Sequence, residues 1–298
     1  MSISKKIDFA VIFTVKNANP NGDPLNGNRP RQTYDGIGEV SDVCIKRKIR
    51  NRLMQMGESI LIQSDDNKLD TCTSIRSRVD ASGLKDADKD FSKNACAKWF
   101  DVRAFGQVFA FTARKKKGKK QDNEEEGAEG GDSVSIPVRG PVSIHPAFSL
   151  EKISITSTQI TKSTNSEDNT KAGKKADDKT SDTFGMKHRV DQGTYVFYGS
   201  INYQLSTLTG FSDDDAKKLK EAFRTMFEND TSSARPDGSM AVKNLIWWTH
   251  SCEHGDVSSA KVHKSLKIEP NGNFTVDNIP YKKDEKECAL EAEIIAGF

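Results

Sequence analysis

The chain has no apolar run long enough to cross a membrane, because a spanning helix needs roughly 18 such residues in succession. Its first residues combine two lysines with an apolar stretch. Asp8 interrupts that stretch and no small-residue cleavage site follows, so we expect no secretory signal. The five cysteines form no CxxC pair and are odd in number, which suits a reducing compartment. These absences predict a cytoplasmic protein without a membrane partner.

The common catalytic motifs are missing as well. No G-x-x-x-x-G-K-S/T, H-E-x-x-H or G-x-S-x-G pattern occurs, so ATPase, metalloprotease and hydrolase functions lack their usual signal. His250, Cys252 and His254 would share one face of a strand, a spacing that permits a metal site. No fourth ligand stands near them, and HxCxH alone is weak evidence for zinc. We therefore predict no metal and no cofactor.

The N-terminal third has the clearest pattern of secondary structure. Residues 7–15 are largely apolar on both faces, which predicts a central strand covered on both sides. Asparagine, proline and glycine then dominate residues 16–36, which are typical of a long loop. Ser41 or Asp42 can cap a helix over residues 41–56, where apolar residues recur at helical spacing.

The rest of the chain predicts further strands and one more helix. The predicted strands cover residues 101–111, 133–139, 150–161, 194–205, 242–249 and 261–268, and the helix covers 212–229. Residues 112–132 and 162–182 are low in complexity, and we expect both to be mobile insertions because they lack the residues of a core. The order of elements favours a single domain over residues 1–298 with an α+β fold. A ferredoxin-like sheet elaborated by insertions fits it best.

The predicted helix over residues 41–56 carries a concentration of positive charge. No acid lies between Asp42 and Glu58, and the cations of this segment are Lys46, Arg47, Lys48, Arg50 and Arg52. Like charges three or four residues apart repel unless an anion lies opposite, and a phosphate backbone supplies one at regular intervals. A solvated helix face is the alternative interpretation.

The loop before that helix strengthens the functional interpretation. Asn17, Asn19 and Asn21 offer amide donors, and the nearby glycines leave backbone N–H groups accessible. Such groups bind phosphates, sugar hydroxyls and base edges. Arg29 and Arg31 add charge at the far end of the loop. An ordinary surface loop is the alternative, although structureless loops of this length are usually functional or disordered.

Two later segments also carry candidate binding residues. Arg103 and Arg139 lie on the predicted hairpin, the first close to Phe105 and Gln107. In the run Met186-Lys187-His188-Arg189, an apolar side chain stands among cationic ones. It could wedge between bases while its neighbours hold phosphates, and a methionine that merely covers core is the alternative.

Several blocks, taken together, resemble a known family. They are NPNGDPLNGNRPRQT, SDVCIKRKIRN, DVRAFGQVFA, PVRGPVSIHPA, ITSTQIT and MKHRVDQGTYVFYGSIN, and they extend from about residue 7 to 205. They look like the backbone subunit of the type I-C CRISPR Cascade complex, the Cas "Seven" (Csd) family. The last 90 or so residues match this family less sharply.

The resemblance implies an RRM-like palm with finger and thumb insertions. Copies of the subunit would polymerise along one CRISPR guide RNA as a helical filament, and the guide would pair with target DNA. The large, small and guide-processing Cascade subunits would be further partners. Contacts would be mostly to the RNA backbone, in keeping with a filament that accepts any guide. The implied RNA-binding residues are Asn17, Asn19, Asn21, Arg29, Arg31, Lys46, Arg47, Arg50, Arg52, Arg103, Phe105, Gln107, Arg139, Gln159, Met186, Lys187, His188 and Arg189.

One departure and two alternatives accompany this interpretation. The first strand is apolar on both faces, so Phe9 and Phe13 are not predicted to stack on bases as RRM aromatics do. Related type III backbone subunits cut RNA with an Asp of the same loop, which makes a metal-dependent endoribonuclease the main alternative, with Asp23 or Asp35 as the acid. No His or Lys is convincingly placed to assist such an acid, so we predict a non-catalytic protein. A generic single-stranded RNA-binding protein is the third possibility.

Overall fold

A computed structural model describes residues 2–112, 133–161 and 184–298. The two predicted mobile insertions therefore lie almost wholly outside the described residues. Within the described ranges, no helix combines the length and apolar character that crossing a bilayer requires.

Helices or strands occur in each of the three described ranges of the chain. The helices are α1 Asp42–Gln55, α2 Ile75–Ala81, α3 Phe91–Lys98, α4 Phe100–Phe105, α5 Tyr203–Thr209, α6 Asp213–Arg224 and α7 Ser259–Ser265, with a short 3-10 helix at Pro24–Asn26. The strands are β1 Ile7–Ala18, β2 Gly22–Asp23, β3 Arg29–Pro30, β4 Ile37–Val40, β5 Gly106–Thr112, β6 Ser133–Arg139, β7 Val142–Ile144, β8 Ala147–Lys152, β9 Ile155–Thr161, β10 Phe184–Ile201, β11 Met240–Thr249, β12 Leu266–Ile268, β13 Phe274–Val276, β14 Ile279–Lys283, β15 Lys286–Leu290 and β16 Ala292–Ala296.

The fold is α+β, as predicted, and is built on one large antiparallel sheet. Its strand order is β16-β11-β1-β10-β8-β4, and β7 and β9 also pair with β10. Read along the chain, β1, α1, β8, β10, α6 and β11 occur in the order of a βαββαβ unit. That order is compatible with the ferredoxin-like arrangement.

The central strand β1 is covered on both faces, which confirms the prediction. Phe9, Val11 and Phe13 are buried in the main core, together with residues of α1 and α6. Ala10 and Ile12 are buried on the other face, in a cluster that includes residues of α7 and of the hairpins β12–β13 and β14–β15. We call these two sides of the sheet the α1 side and the α7 side.

A separate apolar cluster supports the segment between α1 and β7. Phe91, Trp99 and Phe109 are buried there with neighbours from α2, α3 and the β5–β6 hairpin. Phe91 meets Phe109 edge to face at 5.0 Å between ring centroids. This segment between α1 and β7, which we call the insertion, therefore has packing of its own beneath the β5–β6 hairpin.

Four predicted elements differ from the structure at specific points. Residues 101–105 are helical rather than extended, because α4 buries Phe100 and Val102 and Gly106 turns the chain into β5 with φ 78°. A side chain on Gly106 would bring its Cβ within 2.3 Å of the Val138 carbonyl oxygen.

The other differences come from helix caps. Residues 261–265 belong to α7 because Ser258 accepts a hydrogen bond from the Lys261 N–H, and only Leu266–Ile268 is a strand. The predicted strand over 194–205 ends at Ile201 because the Asn202 side chain caps α5. The predicted strand over 150–161 is divided between β8 and β9. The remaining predicted helices and strands are present, with bounds shifted by a few residues.

Candidate nucleic-acid interface

Helix α1 begins as the sequence predicts. Ser41 accepts a hydrogen bond from the Cys44 N–H, and Ile45, Ile49 and Leu53 are fully buried at helical spacing. This apolar stripe fixes which way the charged residues between its members point. Their partners therefore decide whether the helix can bind an anion.

Lys48 points into the protein rather than towards solvent. Its side chain is 3% exposed, forms an ion pair with Asp230, and lies 5.7 Å from the centroid of the Phe227 ring. Burial lowers the pKa of Lys48, although the carboxylate of Asp230 opposes that shift. The lysine thus neutralises an internal acid that is remote in the sequence.

Arg50 is likewise committed to an internal partner. It is 8% exposed, its Nε donates to Asp101 Oδ2 at 3.0 Å, and its guanidinium lies over the Phe105 ring at 5.2 Å. Asp101 also accepts hydrogen bonds from the backbone N–H groups of Leu61 at 2.8 Å and Ile62 at 3.1 Å. The pair therefore connects helix α1 to the insertion.

Two other arginines complete this connection. Arg47 donates to the Ile62 carbonyl at 2.8 Å, and Arg78 donates to the Leu61 carbonyl at 2.6 Å. The peptide groups at residues 61 and 62 are thus held through both their N–H and their C=O groups. We call Arg47, Arg50, Arg78 and Asp101 the insertion anchor.

The remaining cations of α1 also have partners. Lys46 pairs with Asp42 at 3.0 Å, and Arg52 Nε donates to Thr225 Oγ1 at 2.8 Å. The expectation that the charge of this helix lacks compensating acids is therefore wrong, because Asp101 and Asp230 supply them from distant parts of the chain. Since Arg50 is buried and paired, its predicted place along an RNA backbone is not supported by the structure.

In the loop before α1, two of the three predicted asparagine side chains form hydrogen bonds within the protein. Asn21 Oδ1 accepts hydrogen bonds from the backbone N–H and the hydroxyl of Ser41, both at 2.9 Å, so it ties the loop to the start of α1. Asn19 is buried and donates to the Asn28 carbonyl at 2.8 Å. Asn17 is exposed and has a positive φ of 54° where the strand ends. The predicted role of these side chains as RNA ligands fits Asn17 better than Asn19 or Asn21.

The far end of this loop contacts the β9–β10 hairpin. Arg29 Nη2 donates to Ser157 Oγ at 3.2 Å, and Ser157 Oγ lies 2.8 Å from His188 Nδ1. Ser157 is directly opposite His188 in the register, and Gln159 is directly opposite Met186. Directly opposed residues share a face, so these five side chains form one surface. We call it the loop–hairpin surface.

The alternation of β10 divides the run Met186-Lys187-His188-Arg189 between two faces. Met186 and His188 belong to the loop–hairpin surface, so Lys187 and Arg189 point to the opposite side. Val190, which has the parity of Met186 and His188, is buried in the main core on the α1 side. The expectation that one methionine works between adjacent cations therefore does not hold for this hairpin.

The β5–β6 block places its predicted residues apart. Arg103 forms a bidentate pair with Asp215, at 3.0 and 2.8 Å, and is largely withdrawn from solvent. Burial raises the pKa of Asp215, but the hydrogen bonds from Arg103 and Ser212 outweigh it and hold that pKa below its ordinary value. Phe105 lies beneath Arg50. Arg139 is exposed on β6, on the strand next to Gln107.

The possible catalytic and metal residues are also engaged within the protein. Asp23 accepts a hydrogen bond from the Leu25 N–H, and Arg31 lies 3.5 Å from its carboxylate. His250 is fully buried, with Nε2 2.8 Å from Asp8 Oδ2 and Nδ1 accepting from the Asp256 N–H. Strand β11 ends before it, so the common strand face expected for the HxCxH run does not form. The described residues contain no group of three or more His, Cys, Asp or Glu arranged to hold a metal.

The partners that sequence reasoning missed are acids and a hydroxyl. Asp101 and Asp230 stand far from α1 in the chain, and no local pattern links them to its cations. Ser157 is one of several serines and threonines in a polar strand, so its contact with both Arg29 and His188 carries no signal in the sequence.

Comparison with known proteins identifies a family whose model covers most of the chain. The family model described as "CRISPR-associated protein Cas7" matches residues 5–289. A CRISPR-associated protein Cas7 of Haloferax volcanii is 28% identical over 248 residues, which cover 78% of this chain and 67% of that protein.

Two solved structures were also compared with the chain. A chain of a "CRISPR RNA-guided surveillance complex" has a TM-score of 0.45 at 16% identity, covering 90% of this chain and 77% of the other. A chain of a "CRISPR RNA-guided surveillance complex, pre-nicking" has a TM-score of 0.44 at 14% identity, covering 82% and 75%.

Proposed function

The chain belongs to the Cas7 family of CRISPR-associated proteins, and on that premise we propose that it is a non-catalytic backbone subunit of a CRISPR RNA-guided surveillance complex. Its subtype in this proposal is type I-C, as the sequence blocks imply. Copies of the chain polymerise on the guide RNA, which then pairs with target DNA. Other Cascade subunits complete the particle. The palm of each copy of this chain is ferredoxin-like in this proposal.

The observation that carries this proposal is the loop–hairpin surface. It joins an arginine from the first loop to a serine and a histidine of the β9–β10 hairpin, with Met186 55% exposed beside them. A cation, hydroxyl, amide and imidazole next to a flexible apolar side chain suit RNA backbone contacts with one unstacked base. None of these groups requires a particular base, as a sequence-neutral guide scaffold demands.

The proposal keeps the exposed members of the predicted RNA-binding set except Lys187 and Arg189, which point away from the loop–hairpin surface, and it changes the role of the buried ones. Asn17, Arg29, Arg139, Gln159, Met186 and His188 contact the guide. Arg50 and Arg103 act structurally, because their guanidinium groups are bound to Asp101 and Asp215. Arg47 and Phe105 act structurally as well, since Arg47 donates to the Ile62 carbonyl and Phe105 lies beneath Arg50. The half-buried members contribute at the edge of the RNA path, and they are Arg31, Lys46, Arg52 and Gln107.

The test is co-expression of the chain with a CRISPR array, followed by purification. We expect RNA of one defined length to co-purify in a particle whose mass grows with guide length. Replacing Arg29, Gln159 and Met186 together by alanine should reduce the RNA recovered while the unfolding midpoint stays unchanged. RNA bound by isolated monomers without length-dependent assembly would overturn the proposal in favour of a generic RNA-binding protein.

The endoribonuclease alternative has its own measurement. Particles are incubated with RNA complementary to the guide in the presence of Mg²⁺. We expect no specific cleavage, because Asp23 is occupied by the Leu25 N–H and by Arg31. Specific cuts that disappear in Asp23→Ala would contradict the non-catalytic proposal.

A further inference from the structure

The α7 side of the sheet is not evenly covered. Helix α7 lies over the part of the sheet near Asp8 and Tyr198, where His263 contacts both. The turn between β12 and β13 approaches the other end, and Lys243 Nζ donates to the Gly272 carbonyl there at 2.7 Å. Between α7 and this turn, the α7 side of strands β8 and β10 is only partly covered.

A phenylalanine stands in this opening. Phe148 is 41% exposed and lies directly opposite Val196 of β10 and Glu39 of β4. Its neighbour Ala147 is buried in the main core on the α1 side, so the ring of Phe148 points to the α7 side. An aromatic ring displayed on an open sheet face is the arrangement that RRM domains use to stack bases.

A polar cleft adjoins the ring on the same face. Its volume is about 210 Å³, and its lining includes Leu150, Lys152, Gln192, Thr194 and Pro270. Leu150 is two residues beyond Phe148 on β8, and Thr194 is two residues before Val196 on β10. The cleft is therefore one rung along the sheet from the ring. Its amide, hydroxyl and ammonium groups can satisfy the polar edge of a base whose face rests on Phe148.

Cations continue from this cleft along the same side of the molecule. Lys16 is exposed and lies directly opposite Gln192, which lines the cleft. Val190 is buried on the α1 side whereas Val196, which has the same parity, packs on the α7 side, so the alternation of β10 changes phase between these two residues. Arg189 and Lys187 lie before this change and point away from the loop–hairpin surface. Arg189 is 3.7 Å from Asp191, but both side chains are more than 40% exposed and such a pair is weak. At about 3.3 Å per residue, Arg189 is roughly 23 Å from the level of Phe148.

The charges near the ring indicate which part of a ligand it meets. Glu39 and Glu151 flank Phe148 and the cleft, so phosphate is disfavoured there, whereas the lysines and arginine beyond the cleft favour it. A basic track that ends at an aromatic platform is typical of proteins that bind single-stranded nucleic acid without sequence preference. A protein partner with an apolar surface would not need the track.

We infer that the α7 side carries a second nucleic-acid site, separate from the loop–hairpin surface, which binds single-stranded nucleic acid with a base on Phe148 and phosphates on Lys16, Arg189 and Lys187. It extends the proposed function, since a subunit that holds a guide on one side would hold another strand on the opposite side. The two sites are separated by the thickness of the sheet and hairpin.

The test uses the full chain with whatever RNA co-purifies and measures binding of two labelled probes. One is an oligothymidylate of about 12 nucleotides, and the other is an abasic phosphodiester of the same length. Phe148→Ala should weaken oligothymidylate binding about five- to 150-fold, the range that corresponds to about 1–3 kcal/mol for one stacked base, and should leave the abasic probe unaffected. Phe148→Trp should restore binding, with quenching of the new indole fluorescence.

The charged track has a separate expected result. Lys16→Ala combined with Lys187→Ala should weaken both probes and reduce the salt slope by about 0.7 for each phosphate that is no longer neutralised. Phe298→Ala is the matched control for Phe148→Ala, because Phe298 is also an exposed phenylalanine, 76% exposed, on a different part of the surface. It should bind both probes like the unchanged protein.

Three results would overturn the inference. The first is unchanged oligothymidylate binding in Phe148→Ala. The second is a loss of co-purifying RNA in that variant, which would assign the ring to the guide site. The third is a Phe148→Ala variant that no longer self-associates but binds both probes like the unchanged protein, which would assign this face to a protein contact. The probe measurements are informative whether or not guide RNA co-purifies, so failure of the proposed function is distinguished from failure of this site.

Discussion

Helix α1 and the loop–hairpin surface lie on either side of the same loop, and both carry basic side chains, yet they differ in what those side chains contact. In α1, Lys48 and Arg50 are buried against Asp230 and Asp101. On the loop–hairpin surface, Arg29 is exposed and touches only a neutral hydroxyl among its hydrogen bonds in the described residues. Positive charge therefore marks a binding surface only where no internal carboxylate neutralises it.

The difference follows from desolvation. A buried guanidinium requires a carboxylate and hydrogen bonds, because an unpaired charge in the interior is very costly. An exposed guanidinium keeps its hydration and remains able to exchange water for phosphate. Predictions that separate stability from RNA binding therefore test the comparison directly.

The largest effect is expected at the insertion anchor. Arg50→Met keeps an apolar stem but leaves Asp101 without its cation, and breaking a buried pair in this way costs about 3–5 kcal/mol. We expect a clear fall in the urea midpoint and in Tm. Lys93→Ala is the control, since Lys93 is 81% exposed and its removal should leave both quantities unchanged. A midpoint equal to that of the unchanged protein would show that the pair is not structural.

The next effect concerns RNA and not stability. Arg29→Ala should leave the urea midpoint unchanged and reduce the dependence of log K on log salt by about 0.7–1, the contribution of one phosphate contact. Binding should weaken alike for guides of different sequence. Lys217→Ala, another exposed cation, serves as the control. If Arg29→Ala and Lys217→Ala give the same slope, Arg29 does not contact the RNA backbone.

A third prediction uses pH on Asp70, the carboxylate that pairs with Arg78 of the insertion anchor. Hydrogen bonds from Arg78 hold the pKa of Asp70 at about 2, below its ordinary value of 3.8. The folded state therefore keeps this carboxylate ionised where the unfolded state takes up a proton, so its contribution is present above about pH 4 and is lost as the pH falls towards 2. The difference in urea midpoint between the unchanged protein and Asp70→Asn should shrink over that window. A constant difference would exclude the linkage.

The smallest effect is expected for Lys46. Its pair with Asp42 is a solvent-accessible i, i+4 contact on α1, which contributes about 0.3–0.5 kcal/mol. Lys46→Ala should therefore lower the urea midpoint barely at all. A loss comparable to that of Arg50→Met would mean that exposure does not separate the two kinds of cation.

The sequence predicted the elements that depend on local pattern. The two-sided apolar alternation around Phe9 and Phe13 indicated a covered central strand, and the caps Ser41 and Ser212 marked the starts of α1 and α6. Both signals are local, because strand periodicity and capping involve residues only two or three positions apart. The sequence blocks that carry the family resemblance are local as well, since each is a short contiguous run of residues.

Only the tertiary structure decided what the charges do. Arg50 is as basic in sequence as Arg29, but the fold brings Asp101 to one and leaves the other facing solvent. Likewise, the alternation of β10 sends Met186 and Lys187 to opposite sides once the strand is formed. Partners that are remote along the chain set the desolvation of each charge, and desolvation determines whether that charge supports the core or remains free to bind RNA.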